Sequence, residues 1–135
     1  MQRTRVRSPL NANVGPHEQI YRSGKAIPEP SKRIKRLLRE LADRAYAEAL
    51  GRELSKLHES FHAWQAGKLS PFDLGEEIHR FHQGPNRELY VLYDPRNRDI
   101  AVARAIIEGL LPEASVPEEV RAYLAPLLAA LRNLQ

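Results

Sequence analysis

Between Ser31 and Gly67 the chain reads SKRIKRLLRELADRAYAEALGRELSKLHESFHAWQAG without a single proline, and this stretch limits the architectures open to it. Its apolar residues return every three or four positions, which is the period of an α-helix and not of a strand. A helix over 31–66 would be roughly 50 Å long at 1.5 Å per residue, wider than a small domain. Ser31 stands where its hydroxyl can cap the first turn. Ile34, Leu37, Leu38, Leu41 and Ala45 make one apolar stripe, and Leu50, Leu54, Leu57, Phe61 and Trp64 make a second. At 100° per residue the second is rotated by about half a turn from the first, so the two ends must pack different partners. Gly51 lies between the stripes but costs only about 1 kcal/mol in a helix interior, so one continuous helix is expected.

Gly67-Lys68-Leu69 reads as a turn, and Ser70-Pro71-Phe72-Asp73 as a helix start, with Ser at the cap and Pro in the first turn. That helix, over 71–83, carries Leu74, Ile78 and Phe81 on its apolar side and should stop at Gly84-Pro85. So short a turn forces an antiparallel hairpin, in which residues whose numbers sum to about 137 lie level. NRELYVLYD suits strand or helix by propensity; Pro85 before it and Asp94-Pro95 after it favour a short helix over 86–93 that buries Leu89, Leu92 and Tyr93. A small-residue helix follows over 98–111, in which Ala101, Ala103 and Ala105 admit close approach, and Pro112 should end it. Ser115-Val-Pro-Glu118 resembles a capping box for a last helix over 116–134, kinked at Pro126 and apolar from Val120 to Leu134. The expected fold is all-α, an irregular bundle of about five helices.

Residues 1–30 show no sustained period and contain Pro9, Gly15, Pro16, Gly24, Pro28 and Pro30. They read as an extended basic arm, anchored by Val14, Ile20, Tyr21 and Ile27, ahead of a single helical domain over 31–135. Charge divides along the same line. Residues 1–39 hold ten Lys or Arg against Glu18 and Glu29, a net of +8, whereas residues 40–135 hold eleven bases and fifteen acids, a net of −4. The chain has no cysteine, which excludes a disulfide framework, a thiolate metal site and a cysteine nucleophile. With no apolar run near the 18 residues or so that span a bilayer and no secretion-type apolar segment, a cytoplasmic protein is expected.

Four of the five histidines fall within residues 54–86. His58-Glu59-Ser60-Phe61-His62 is an H-E-x-x-H, the pattern in which two His four apart on a helix grip Zn²⁺ and the Glu activates a bound water. In that reading His58 and His62 are ligands, Glu59 is the catalytic base, and Glu76, His79 or His82, brought alongside by the hairpin, supplies a third ligand. Glu77 is a further carboxylate in reach. The longer zincin motif fails, because Lys68 stands where the third His belongs and Gln65 replaces its glycine. Glu59-x-x-His62 and Glu76-x-x-His79 also resemble the paired units of di-iron bundles, although those sit on non-consecutive helices. No cofactor is the leading expectation, and the metal reading would call for zinc or iron. The helical wheel turns His58 and His62 away from the apolar stripe, toward water.

No Gly-rich phosphate loop, nucleophile elbow or internal repeat is present. What remains is the basic arm, with Arg3, Arg5 and Arg7, and the opening of the long helix, where Lys32, Arg33, Lys35, Arg36 and Arg39 oppose the helix dipole. A cluster placed against that gradient suits a negatively charged partner. The leading expectation is a non-enzymatic binding module, homo-oligomeric, that engages nucleic acid or an acidic protein. Arg87, Tyr90, Arg96 and Arg98 are further candidates for phosphate or base contacts. The alternative is a metal-binding helical protein or metal-dependent hydrolase built on HESFH.

Overall fold

The computed structural model describes residues 29–134. All but the last two residues of the expected arm, including Arg3, Arg5, Arg7 and the four apolar anchors, lie outside the described residues. Among the described residues five α-helices succeed one another: α1 (Lys32–Gln65), α2 (Pro71–Phe81), α3 (Arg87–Leu92), α4 (Arg98–Glu108) and α5 (Glu118–Asn133). Among the described residues there is no strand, and no helix is long and apolar enough to cross a membrane. The protein is all-α.

The long helix forms as its sequence demands. Over 34 residues α1 runs unbroken through Gly51. Ser31 Oγ accepts the Ile34 N–H at 3.1 Å, and at the far end Gly67 turns left-handed (φ 78°) so that the Lys68 N–H reaches back to the Ala63 carbonyl at 2.8 Å. The two apolar stripes pack different neighbours. Leu38, Leu41, Ala42 and Ala45 enter a core shared with Val102, Ala103 and Ile106 of α4 and with Val120, Leu124 and Leu127 of α5. Leu111 and Val116, from the connection between α4 and α5, close it.

The second stripe fares differently from its expected burial. The C-terminal half of α1 is covered mainly by α2 and, around Ala49 and Glu53, by the residues that follow it, leaving Leu54, Phe61 and Trp64 38–45% exposed and Ile78 on α2 40% exposed. Length explains this: at 1.5 Å per residue α4 and α5 extend about 16 and 24 Å, and cannot follow α1 along its roughly 50 Å. The antiparallel register is as expected, for the Ser60 hydroxyl donates to the Glu77 carboxylate and their numbers sum to 137. Ser70 caps α2 by accepting the Asp73 N–H at 2.9 Å.

Three helix ends depart from the sequence reading. The helix expected to stop at Gln83 passes instead through a π-turn, His82–Asn86, directly into α3. Gly84 does not adopt a positive φ; Pro85 lacks the N–H that an α-turn would require, and the wider turn clears its ring from the preceding carbonyl. The following segment is helical, with Leu89, Leu92 and Tyr93 half-buried. α4 ends at Glu108, short of Pro112, because Gly109 turns left-handed (φ 81°) and the Leu110 N–H bonds to the Ala105 carbonyl at 2.9 Å. Ser115 does not cap α5; its hydroxyl donates to the Pro112 carbonyl at 2.7 Å, and the helix begins at Glu118 behind Pro117. Pro126 lies inside α5 on its exposed side.

Asp94 holds the turn between α3 and α4. Its carboxylate accepts the Arg96 guanidinium at 3.0 and 3.1 Å and the Arg96 N–H at 2.8 Å. The guanidinium bond first, then the backbone bond, lower its pKa from 3.8 to about 2. With the folded value depressed, the contribution is full above the ordinary carboxylate range and vanishes as pH falls toward 2. Asp94→Asn should therefore be slightly less stable than the parent at neutral pH, with a gap that closes in acid, as urea unfolding at about pH 6 and pH 2 would show. A gap that widens in acid would reverse the assignment. The pair lies at the surface, with Arg96 exposed to water, so the effect is small.

Candidate functional site

At the start of α1, Lys32, Arg33, Lys35, Arg36 and Arg39 are all exposed and no acid lies in the first turn. Arg33 forks onto Glu119 at the start of α5, and that contact, hydrogen bond before charge, raises its pKa. Lys35 faces Glu29 at 3.6 Å and Arg36 faces Glu40 at 3.9 Å. Exposed pairs of this kind contribute little to stability and exchange readily for another anion. Lys32 and Arg39 have no ion-pair partner among the described residues.

The HESFH residues lie on the exposed surface of the hairpin. His58 and His62 stand edge to face, with ring centroids 5.4 Å apart, and Glu59 is exposed beside them. Glu76, His79 and His82 are exposed on α2 and the turn after it, while Glu77 is half-buried and accepts from Ser60. The hairpin does bring His79 level with His58. Among the described residues, however, no group of three or more His, Asp or Glu is arranged to hold a metal ion.

A concave site forms elsewhere, where the α2–α3 rod crosses the middle of α1. Tyr46 from α1, His82, Gln83 and Asn86 from the π-turn, and Arg87 and Tyr90 from α3 line a cleft of about 580 Å³. An isolated π-turn is frequently found at functional sites, because its extra residue fans side chains out of the regular helical spacing; three of the five residues of this one face the cleft. Tyr46 is held in place by a parallel stack on Tyr93, with centroids 4.9 Å apart and planes 5° from coplanar. Burial first, then the Glu108 charge, pushes the Tyr93 phenol above its ordinary value, with Arg104 opposing, so it stays neutral. On the open side Tyr90 is 72% exposed. Arg87 has no carboxylate partner among the described residues.

The cleft and the basic helix start share one side of the molecule. At 100° per residue, Lys32, Lys35, Arg39 and Tyr46 fall within an arc of about 60° on α1, with the three cations about 10 to 21 Å up the axis from the tyrosine. Arg33 lies on the opposite flank, turned to α5. Asp43 is the single carboxylate between Arg39 and Tyr46 on that side. Sequence reasoning singled out Arg87 and Tyr90 but missed Tyr46, Gln83 and Asn86, because Gly84-Pro85 reads as a helix stop and hides the turn that gathers them. Arg96 is committed to Asp94, and Arg98 is half-buried at the start of α4.

No protein-family model, curated protein or solved structure matches this chain. Fold and surface alone carry the functional reading.

Proposed function

We propose that the protein is a non-enzymatic, cytoplasmic nucleic-acid-binding module that uses the exposed flank of α1 bearing Lys32, Lys35 and Arg39, extended by the basic residues ahead of it. The observation that supports this reading is the alignment of those cations with Tyr46 and its cleft. Clustered cations attract any polyanion, but a neighbouring cleft lined by aromatic rings, amides and an Arg with no carboxylate partner among the described residues suits phosphates that carry bases. An acidic protein surface would use the cations and leave the cleft idle.

The test is fluorescence anisotropy with labelled oligonucleotides. Three phosphate contacts on a single strand correspond to a slope of about −2 in log affinity against log salt, so a fourfold rise in salt should weaken binding about 15- to 20-fold. Lys32→Glu/Lys35→Glu/Arg39→Glu should lose at least about tenfold at low salt and flatten that slope. Unchanged affinity in the triple variant would overturn the proposal. Polyglutamate binding as tightly as the oligonucleotide would put an acidic protein in its place.

The proposal extends to a two-fold assembly through the hairpin. On the flank that holds Leu54, Phe61 and Ile78, the wheel places Leu50, His58, Gln65, Pro71 and Gly75 and no Lys, Arg, Asp or Glu. The charged pairs Glu53–Lys56 and the Glu77 and Arg80 side chains lie around the opposite groove. A charge-free apolar face has nothing to offer a polyanion, but it matches itself across a two-fold axis, where like charges would otherwise repel. Sedimentation equilibrium should show a dimer that Leu54→Glu/Ile78→Glu converts to monomer with helicity retained. A parent that is monomeric at about 100 μM would refute the assembly.

A further inference from the structure

We infer that the π-turn cleft receives one unstacked nucleobase of a single-stranded nucleic acid whose neighbouring phosphates run along Lys32, Lys35 and Arg39. This rests on the nucleic-acid reading and specifies its substrate.

The cleft has the composition such a ligand requires. A base presents two apolar faces and a polar edge. Tyr46 is pre-oriented by its stack on Tyr93 and loses little freedom on binding, and Tyr90 stands exposed across the opening, so aromatic surface is available from two helices. Gln83 and Asn86 each carry one acceptor and two donors, a set that can pair with the edge of a base, and His82 adds a ring nitrogen. Arg87 is free to fork onto a phosphate or lie flat on a base. At about 580 Å³ the cleft falls within the usual range for small-ligand sites, roughly 300 to 1,000 Å³, and so has room for one nucleotide.

The geometry also argues against a duplex. The Tyr46 ring sits in a recess between α1 and the α2–α3 rod, and a base paired and stacked inside a double helix cannot reach it without leaving its stack. From Tyr46 to Arg39 is about 10 Å along α1, close enough for a strand to place a base in the cleft and its next phosphates on the cations. The aromatic contact thus selects single strands, while the cations supply affinity for any phosphate chain.

The discriminating experiment compares a labelled single-stranded oligonucleotide, a duplex of the same length, and a single strand with abasic sites, which keeps the phosphates and removes bases. The parent protein should bind the single strand at least about tenfold tighter than either control. Tyr90→Ala, at an exposed position where the fold is insensitive, should lower single-strand affinity about 5- to 100-fold and leave duplex affinity unchanged, the range expected for one stacked base. Arg87→Ala should act in the same direction. Circular dichroism verifies that both variants keep the parent helicity. Equal affinity for the abasic strand, or a Tyr90→Ala loss shared by the duplex, would overturn the inference. If the triple charge reversal still weakens all three ligands in that case, the function reading stands and only the cleft assignment falls; if the reversal too has no effect, both fall. A mononucleotide binding as tightly as the strand would likewise overturn it, in favour of a free-nucleotide site.

Discussion

Replacing Leu124 by alanine should lower the unfolding free energy by about 2 to 5 kcal/mol, a large share of the 5 to 15 kcal/mol typical of a domain this size. Leu124 is fully buried in α5, with Val120 and Leu127 buried beside it and the α1 and α4 stripes completing the core. The lost transfer energy is compounded by a cavity that neighbours already packed on every side can fill only partly. Because the core draws on only half of α1, no second apolar layer stands ready to shift inward. Urea unfolding followed at 222 nm should show a lower midpoint with an unchanged slope. Leu134→Ala, at a position 68% exposed, should stay within about 0.5 kcal/mol of the parent. Similar small changes at both positions would mean that the α5 stripe does not form the core.

Ala103→Leu tests the same core from the opposite direction and should cost about 1 to 3 kcal/mol. Ala103 of α4 and Ala45 of α1 are both 0% exposed, on helices that pack against each other. Both lie in the core that α1 and α4 share, where an inserted isobutyl group must displace a packed neighbour. Leu and Ala are both strong helix formers, so propensity contributes only a few tenths of a kcal/mol and the loss reports packing. Ala47→Leu, on the exposed surface of α1, supplies the control and should be close to neutral. An equal response at Ala47 and Ala103 would count against core packing as the cause.

Much of the secondary structure was legible because it depends on neighbours in sequence. The α1 start and the α2 start follow from Ser31 and Ser70, whose hydroxyls bond to N–H groups three residues on. The hairpin register follows from the length of the turn at Gly67 and was met by the Ser60–Glu77 contact. Misreadings gathered where two local rules compete. Gly84-Pro85 satisfies the rule for a helix stop, yet a π-turn accommodates the same pair without breaking the rod. Ser115 satisfies the rule for a cap, yet its hydroxyl finds the Pro112 carbonyl first. Gly109 ended α4 before Pro112 could, since a left-handed glycine already satisfies the last carbonyls.

The candidate site was legible in part. The basic helix start could be read directly, because like charges in a first turn need no tertiary information to be seen. HESFH could be read as a motif, but a metal centre needs donors converging from separate elements, and spacing along one helix does not establish that. The cleft was invisible as a unit: Tyr46 lies 36 positions before His82, and only the crossing of the α2–α3 rod over α1 joins them.

By itself, then, the sequence determined that the chain is helical, where its longest helix begins and ends, that the first hairpin is antiparallel, and that positive charge collects at one end. Each of these rests on hydrogen bonds and side-chain spacing within a few residues. The tertiary structure alone decided which half of α1 is buried, which cations share a flank with the cleft, and that the hairpin keeps an uncovered apolar face. Those outcomes depend on helix lengths and crossing points, which arise from the packing of distant segments and have no local signature.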